Sequence, residues 1–277
     1  MDIRLIVLGS GQDGGTPQFG SPGAVGSDRS ASSVALVVSD GPVLLFDASP
    51  DIRSQARLLP TRGPDDQPVD AVFVTHAHMG HYAGLLHFGK EAAATSNIPL
   101  FAPDSVVTFL EANEPWATLF NDGHLESFPL DHGTATVEDI EVQAIPVPHR
   151  PDFSSTCAFT VSVQGDPWIL YVPDIDSWDL WPEASTELAR HPVCLIDATF
   201  SDQAELPRRD FSDFPHPLVW DTINRFAEIA TTTRLILTHI NHSNALGDPD
   251  SAIALQAKSR GFEVAVDGME IVHGDST

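Results

Sequence analysis

The sequence predicts an α/β fold in which short buried strands alternate with helices and polar residues collect where the strands end. Apolar, β-branched runs such as residues 3–8 and 72–74 are typical of buried strands. Hydrophobic residues make up 42% and charged residues 19% of the chain, which is ordinary for a globular protein. A chain of 277 residues can bury a large core as one domain or two, and we predict a single domain over residues 1–277.

The remaining elements follow from hydrophobic period and turn signals. Asp40-Gly41, between two apolar runs, predicts a hairpin, and Gly165-Asp166 predicts a second one. We predict helices at 82–93, 104–112, 218–229 and 252–261, with residues 113–136 irregular. Strands are predicted at 3–8, 33–38, 42–46, 72–74, 98–101, 140–147, 156–163, 167–172, 193–196, 234–237 and 263–266.

The most informative segment is Thr75-His76-Ala77-His78-Met79-Gly80-His81, directly after a predicted strand. Imidazole is the commonest metal-binding side chain, and residues two apart on extended backbone point to the same side. His76 and His78 are therefore expected to grip one ion, while the turn at Gly80 swings His81 towards a second. Solvated loop histidines are the simpler alternative, but so dense a cluster favours a metal site.

Other polar residues share this position at a strand end. The set consists of Asp47, His76, His78, His149, Asp174, Asp197 and His239. Gathered at one sheet edge, they would form a scaffolded site. Imidazole and carboxylate without thiolate suit zinc, manganese or iron. Asp47 is expected either to cap the segment after it or to support a metal ligand.

Charge and composition exclude several classes of protein. The formal net charge of -25 would repel phosphate backbones and anionic membranes, so we expect no nucleic-acid or membrane partner. Cys157 and Cys194 lie in apolar runs and are predicted to be buried thiols. The start of the chain lacks the pattern of a secretion signal, which predicts a cytoplasmic protein. His124 and His132 are interpreted as surface histidines, and the glycine-rich residues 9–20 as a loop at the rim of the site, or else a linker.

In order and spacing, these candidates resemble the five motifs of the metallo-β-lactamase superfamily over nearly the whole chain. Leu8-Gly9-Ser10-Gly11, Ile196-Asp197-Ala198-Thr199-Phe200 and Leu237-Thr238-His239-Ile240-Asn241-His242 resemble one branch of it. That branch holds tRNA 3′-processing ribonucleases, phosphonate-pathway phosphodiesterases and the pyrroloquinoline-quinone biosynthesis B group. The resemblance implies an αββα sandwich of two mixed sheets, with helices on the outer faces and metal at one edge.

The resemblance also implies a ligand set. His76, His78 and His149 would hold a first ion. His81, Asp174 and His239 would hold a second, with Asp174 placed to bridge. The usual His-x-His-x-Asp-His motif has aspartate where this chain has Gly80, so we expect the second site to be weak or empty. Asp197 or His242 is a candidate to compensate. Gly80→Asp would raise occupancy only if the turn tolerates a side chain.

Two classes of function follow from the resemblance. The first is a metal-dependent hydrolase of a small phosphodiester or other ester, with one or two zinc ions. Asp174 and His216 would be its catalytic residues, with His216 as the proton donor to the leaving group. An ordinary loop histidine is the alternative for His216. The second class, which the resemblance to the pyrroloquinoline-quinone biosynthesis B group would allow, is an iron-dependent oxygenase or hydroxylase. In that class a single iron held by His76, His78 and a third ligand would activate oxygen. A third hypothesis is a non-enzymatic protein that binds metal. The chain is also a candidate homodimer.

Overall fold

Two mixed sheets of seven strands each stand face to face in this computed structural model, which describes residues 2–21, 23, 25–63, 65–131, 133–205 and 215–275. The first sheet has the order β14-β1-β2-β3-β4-β5-β6 and the second the order β13-β12-β11-β10-β9-β8-β7. The strands are β1 (Ile3–Gly9), β2 (Ser33–Val38), β3 (Val43–Phe46), β4 (Ala71–Phe73), β5 (Ile98–Ala102), β6 (Leu125–Pro129), β7 (Thr134–Val137), β8 (Ile140–Val147), β9 (Thr156–Val163), β10 (Asp166–Val172), β11 (Val193–Asp197), β12 (Arg234–Thr238), β13 (Phe262–Val264) and β14 (Glu270–Val272).

Helices cover the outer face of each sheet. The described α-helices are α1 (Ile52–Gln55), α2 (Met79–Tyr82), α3 (Asp104–Ala112), α4 (Trp116–Asn121), α5 (Ala184–Arg190), α6 (Val219–Phe226) and α7 (Ala252–Ser259). Val106 and Leu110 of α3 pack with the outer residues of the first sheet, and Phe226 and Ala257 with those of the second. The αββα sandwich expected from the resemblance is therefore confirmed.

The inner faces of the two sheets meet in an aromatic core. Phe46 of β3 and Phe73 of β4 stack with ring centroids 4.9 Å apart. Phe159 of β9 packs edge-on to both, at 5.7 and 5.6 Å, so the contact joins the two sheets. Phe46, Phe73 and Phe159 are all fully buried, and burial of apolar surface on this scale is what holds the sheets together.

Both sheets repeat one pattern of pairing. Antiparallel pairs formed by β1, β2 and β3 lead into parallel pairs from β3 through β6. In the second sheet the antiparallel pairs of β7 to β10 lead into parallel pairs from β10 through β13. Parallel neighbours bring their carboxyl ends to one edge of a sheet, which gathers the candidate site residues.

The prediction of a helix over residues 82–93 was wrong. Helix α2 is followed by a 3₁₀ helix, Ala83–Phe88, and the chain then leaves helical structure. The Gly84 N–H donates to the Ala48 carbonyl at 2.8 Å, and the Ala48 N–H donates to the His81 carbonyl at 2.8 Å. The Gly84 N–H and the His81 carbonyl therefore form hydrogen bonds with the segment after β3, and a continuous α-helix would need both groups for its own hydrogen bonds.

The prediction of an irregular segment over residues 113–136 was also wrong. It contains α4, β6 and β7. Both strands stand at the edge of their sheets, where one side faces solvent, and their mixed polar sequences therefore resemble loops. Helices α1 and α5 and strand β14 were not predicted either, because each is short and carries no periodic signal.

Candidate metal centre

The strand ends bring six of the predicted residues into one centre. His76, His78 and His149 form a group we call the three-histidine cluster, whose donor atoms all lie within 4.8 Å of one another. His78 Nδ1 lies 2.8 Å from His76 Nε2 and 3.2 Å from His149 Nε2. The three residues are buried, with exposures of 1%, 8% and 6%. Nitrogens this close, aimed at one point, form a donor set suited to one cation.

Asp174 lies at the middle of the centre, at the end of β10. Its Oδ2 lies 2.9 Å from His81 Nε2 and 3.1 Å from His239 Nε2. Oδ1 lies 3.6 Å from His149 Nε2. Burial by itself would raise the pKa of Asp174, but the surrounding imidazoles, His239 first, hold that pKa well below its usual value. This carboxylate therefore stays ionised between two groups of histidines, where a bridging ligand would stand.

A second group of donors consists of Asp13, His81 and His239, which we call the Asp13 cluster. Sequence reasoning missed Asp13, which lies in the glycine-rich loop after β1. Its Oδ1 lies 3.4 Å from His81 Nε2. The signal that could have found it is its place: like the other candidates, Asp13 follows the end of a buried strand.

Unpartnered buried atoms test whether the centre fits metal. Among the buried side-chain atoms without a hydrogen bond of acceptable geometry, four face one another in this centre: Asp13 Oδ1, His81 Nε2, Asp174 Oδ2 and His239 Nε2. Leaving a buried polar atom without a hydrogen bond costs about 1–3 kcal/mol. Four such atoms converging on one volume are what a site built for cations requires. The residues present therefore fit the metal that the fold implies.

Supporting hydrogen bonds fix which imidazole nitrogen faces the centre. His81 Nδ1 donates to Asp47 Oδ2 at 2.8 Å, so Nε2 is the nitrogen that faces the centre. The Thr75 hydroxyl donates to Asp47 Oδ1 at 3.0 Å and lies 3.0 Å from His76 Nδ1. Its only proton is used, so it accepts from His76 Nδ1, and His76 Nε2 also faces the centre unprotonated. Of the two roles predicted for Asp47, support of the ligands is the one its contacts match.

The same arrangement recurs on the other side of the centre, around Asp197. Its Oδ1 accepts from the Thr199 hydroxyl at 2.7 Å, and that hydroxyl lies 2.9 Å from His239 Nδ1. His216 Nδ1 donates to Asp197 Oδ2 at 2.7 Å. Burial would lower the pKa of His216, but Asp197 raises it above its usual value. His216 is thus held by a carboxylate at the wall of the centre, 3.8 Å from Asp174.

The pKa values of the histidines are shifted in opposite directions. Burial lowers the pKa values of His76, His78 and His239, that of His78 to about 4. Burial also acts against charge on His81, but the carboxylates around its ring raise its pKa well above the usual value. Burial alone would raise the pKa of Asp13, whereas its contact with His81 lowers that pKa to about 2. The lowered pKa favours the neutral form of His76, His78 and His239 at pH 7, which is the form that binds metal.

Neither residue expected to compensate for Gly80 belongs to a donor cluster. Asp197 binds His216 and Thr199, and His242 Nδ1 lies 2.9 Å from Asn241 Oδ1. His124 is half-buried, with Nδ1 2.7 Å from the Thr95 carbonyl, and is not a bare surface residue. His132 lies outside the described residues.

Strain in the backbone marks two residues of the centre. Asp47 and His239 have φ angles of 59° each, in the left-handed region that residues other than glycine rarely adopt. Such strain persists where surrounding structure imposes it, and it concentrates at functional sites.

Comparison with known proteins agrees with this geometry. The model of the β-lactamase superfamily domain matches residues 43–240. The chain is 30% identical to a coenzyme PQQ synthesis protein B of Cupriavidus necator, over 96% of this chain and 98% of the relative. Among the described residues, no helix is both long enough and apolar enough to cross a membrane.

Two solved structures share the fold. One is Zn²⁺-bound PqqB from Methylobacterium extorquens, with a TM-score of 0.75 and 22% identity over 97% of this chain and 99% of that one. The other is a diphosphatase of the PhnP family, with a TM-score of 0.71 and 20% identity over 98% of this chain and 97% of that one. At these identities the likeness shows the fold alone. Taken with the domain match, the sandwich and the histidine clusters at its edge, it places the chain in the metallo-β-lactamase superfamily.

Proposed function

We propose that the protein is a metal-dependent hydrolase of a small phosphodiester or other ester. The observation that carries this proposal is the convergence of two imidazole clusters on the central Asp174, without any thiolate among their members. When bound, zinc or a similar divalent ion would polarise an ester oxygen and lower the pKa of water. His76, His78 and His149 would hold one ion, and His81, Asp174 and His239 would hold a second.

His216 is the group proposed to protonate the leaving group. Asp197 holds it through Nδ1, so Nε2 is the nitrogen left to face a substrate. The raised pKa of His216 favours the protonated form that a general acid needs. Thr199 lies 3.1 Å from the same Nδ1 and restricts rotation of the ring.

The substrate is proposed to be small. The histidine donors and Asp174 are buried, so a bulky polymer would not reach them without rearrangement. A net charge of -25 also disfavours RNA or DNA as the substrate. The diphosphatase of the PhnP family supports phosphate-ester chemistry on this fold by analogy only.

The test pairs metal analysis with an ester assay. Protein purified without chelator would be analysed for metal and assayed on bis(p-nitrophenyl) phosphate and on phosphodiesters of poorer leaving groups. His216→Ala should lower turnover on the poor leaving groups by ~10²–10⁴-fold while metal content stays the same. His124→Ala, a histidine held by the Thr95 carbonyl, is the matched control and should keep full activity. Equal losses on good and poor leaving groups would contradict the role of His216 as an acid.

A second candidate function is an iron-dependent oxygenase. The 30% identity to a coenzyme PQQ synthesis protein B favours it, because that protein is named for the synthesis of a redox coenzyme. The three-histidine cluster supplies three nitrogen ligands of the kind that suits iron as well as zinc. Iron in the purified protein, together with no hydrolysis of any ester, would favour this candidate over the hydrolase.

A further inference from the structure

Asp13 fills the space next to Gly80 that a side chain at position 80 would need. A Cβ atom placed on Gly80 would lie 2.2 Å from Asp13 Oδ1 and 2.6 Å from Asp13 Cα. Contacts below 3.0 Å are not found for real Cβ atoms, so no side chain fits at position 80 while Asp13 stays in place. The turn therefore does not tolerate the aspartate that the superfamily motif usually has there.

We propose that Asp13 is itself the missing carboxylate ligand and completes a second metal site with His81, His239 and the bridging Asp174. Asp13, His81 and His239 place their donor atoms within 4.8 Å of one another. Asp13 Oδ1 is buried and has no hydrogen bond, although the side chain as a whole is 28% exposed. The carboxylate of the second site would thus come from the glycine-rich loop and not from the histidine motif.

The loop is held in the position that this role requires. The Gln12 N–H donates to the Ile240 carbonyl at 3.0 Å, and the Ile240 N–H donates to the Ser10 carbonyl at 2.9 Å. These two bonds tie the loop to the residue directly after His239. The geometry between Asp13 and His239 is therefore fixed through the backbone, as a shared ligand set needs.

Hydrogen bonds hold the loop at both of its ends, through side chains at Ser10 and through backbone at Thr16. Asp267 Oδ1 accepts from the Ser10 N–H at 3.0 Å and from its hydroxyl at 2.8 Å. Buried Arg29 donates to the same hydroxyl at 2.7 Å. At the far end, Thr16 and Arg29 exchange backbone hydrogen bonds of 2.7 and 2.8 Å. A flexible linker would have none of these anchors, so the loop is built to present Asp13.

This inference deepens the proposed function, because it concerns the second ion of the same centre and rests on that centre binding metal. It revises the expectation drawn from Gly80 alone. With Asp13 in place, the second site has two imidazoles and two carboxylates, an ordinary set for a divalent ion. The native chain is therefore expected to bind two ions.

The test measures metal stoichiometry, not activity. Metal-free protein would be titrated with Zn²⁺ by calorimetry, and bound metal counted after gel filtration. The native chain should bind two ions, and Asp13→Asn should keep the first while weakening the second by about 10²-fold or more. Asp28→Asn makes the same change at an exposed residue of a neighbouring segment and should bind as the native chain does. Circular dichroism of each metal-free variant checks that folding is unchanged.

Gly80→Asp separates this proposal from a centre that simply lacks a carboxylate. If Asp13 already supplies the ligand, the new side chain collides with it and lowers second-ion affinity. Increased second-ion affinity in Gly80→Asp would overturn the proposal, as would two equally tight ions in Asp13→Asn. A native chain that binds one ion only and still hydrolyses esters would overturn it too, while leaving the proposed hydrolase intact.

Discussion

At the scale of single residues, the centre depends on two carboxylates that lie outside the donor clusters and hold their members in place. Asp47 receives hydrogen bonds from His81, Thr75 and, at 3.3 Å, the Tyr171 hydroxyl. Asp197 has the same role for His216 and, through Thr199, for His239. Such partners orient an imidazole and increase its basicity. Each half of the sandwich therefore contributes one buried aspartate that directs ligand nitrogens inward.

Removing the charge of Asp47 should weaken metal binding without unfolding the chain. Asp47→Asn keeps the size of the side chain, and asparagine tolerates the left-handed backbone at this position. It cannot accept from His81 and Thr75 as a carboxylate does, so metal affinity should fall about 10–100-fold. Titration against a competing chelator measures the change. Tyr171→Phe removes only one hydrogen bond to Asp47 and is the control. An unchanged affinity in Asp47→Asn would contradict this role.

At the scale of elements, two strands of the second sheet each carry one free cysteine, Cys157 in β9 and Cys194 in β11. Both are buried, as expected from the sequence. The Cys157 thiol lies 3.6 Å from the Thr75 carbonyl, and the Cys194 thiol lies 3.5 Å from the Leu188 carbonyl. Burial raises the pKa of each thiol well above its usual value. Both strands thus keep their cysteines protonated inside the core.

Neither thiol should react in the native protein. Only the thiolate is nucleophilic, and a raised pKa leaves almost none of it at pH 8. A chromogenic disulfide reagent should therefore detect no thiol in the folded chain, and both thiols after unfolding in guanidinium chloride. Labelling should follow the unfolding transition. Rapid labelling of either cysteine in the folded protein would show that β9 or β11 opens locally.

At the scale of the whole molecule, the two sheets meet along an apolar core and leave their polar residues at one edge. The ligands come from both halves: His76, His78 and His81 follow β4 of the first sheet, while Asp174 and His239 follow strands of the second. A bound ion would therefore join the two sheets. Metal binding and stability of the fold are linked for this reason.

Metal removal should lower the melting temperature. An ion that binds only the folded state stabilises it by about 4 kcal/mol at a free concentration 1,000 times its dissociation constant. For a chain of this size that corresponds to a shift of roughly 10 °C. Differential scanning calorimetry with and without chelator, followed by added Zn²⁺, measures the shift. His78→Ala, which removes one ligand of the first ion, should respond less. Equal melting curves for the native chain with and without metal would contradict the linkage.

The sequence by itself determined the fold class, the hydrophobic strands and most of the centre. His76, His78, His81, His149, Asp174 and His239 each stand directly after or shortly beyond a strand, and strands that run in the same direction end at the same edge of a sheet. The positions of these residues relative to the strands can be read from the sequence, because short-range hydrophobic periodicity shows where each strand ends. The short elements were missed, since edge strands such as β6 are stabilised by pairing with a neighbour and carry a weak local signal.

Only the tertiary structure decided what replaces the carboxylate missing at position 80. Asp13 and Gly80 lie 67 residues apart in the chain, and the place of Asp13 after a strand does not show that its carboxylate meets His81. Their relation is steric: one atom cannot be placed on Gly80 without striking Asp13. Contacts between distant segments depend on how the sheets close, and the sequence of neither segment records them. The same reason explains why helix α2 ends where it does, because the chain after β3 takes its hydrogen bonds.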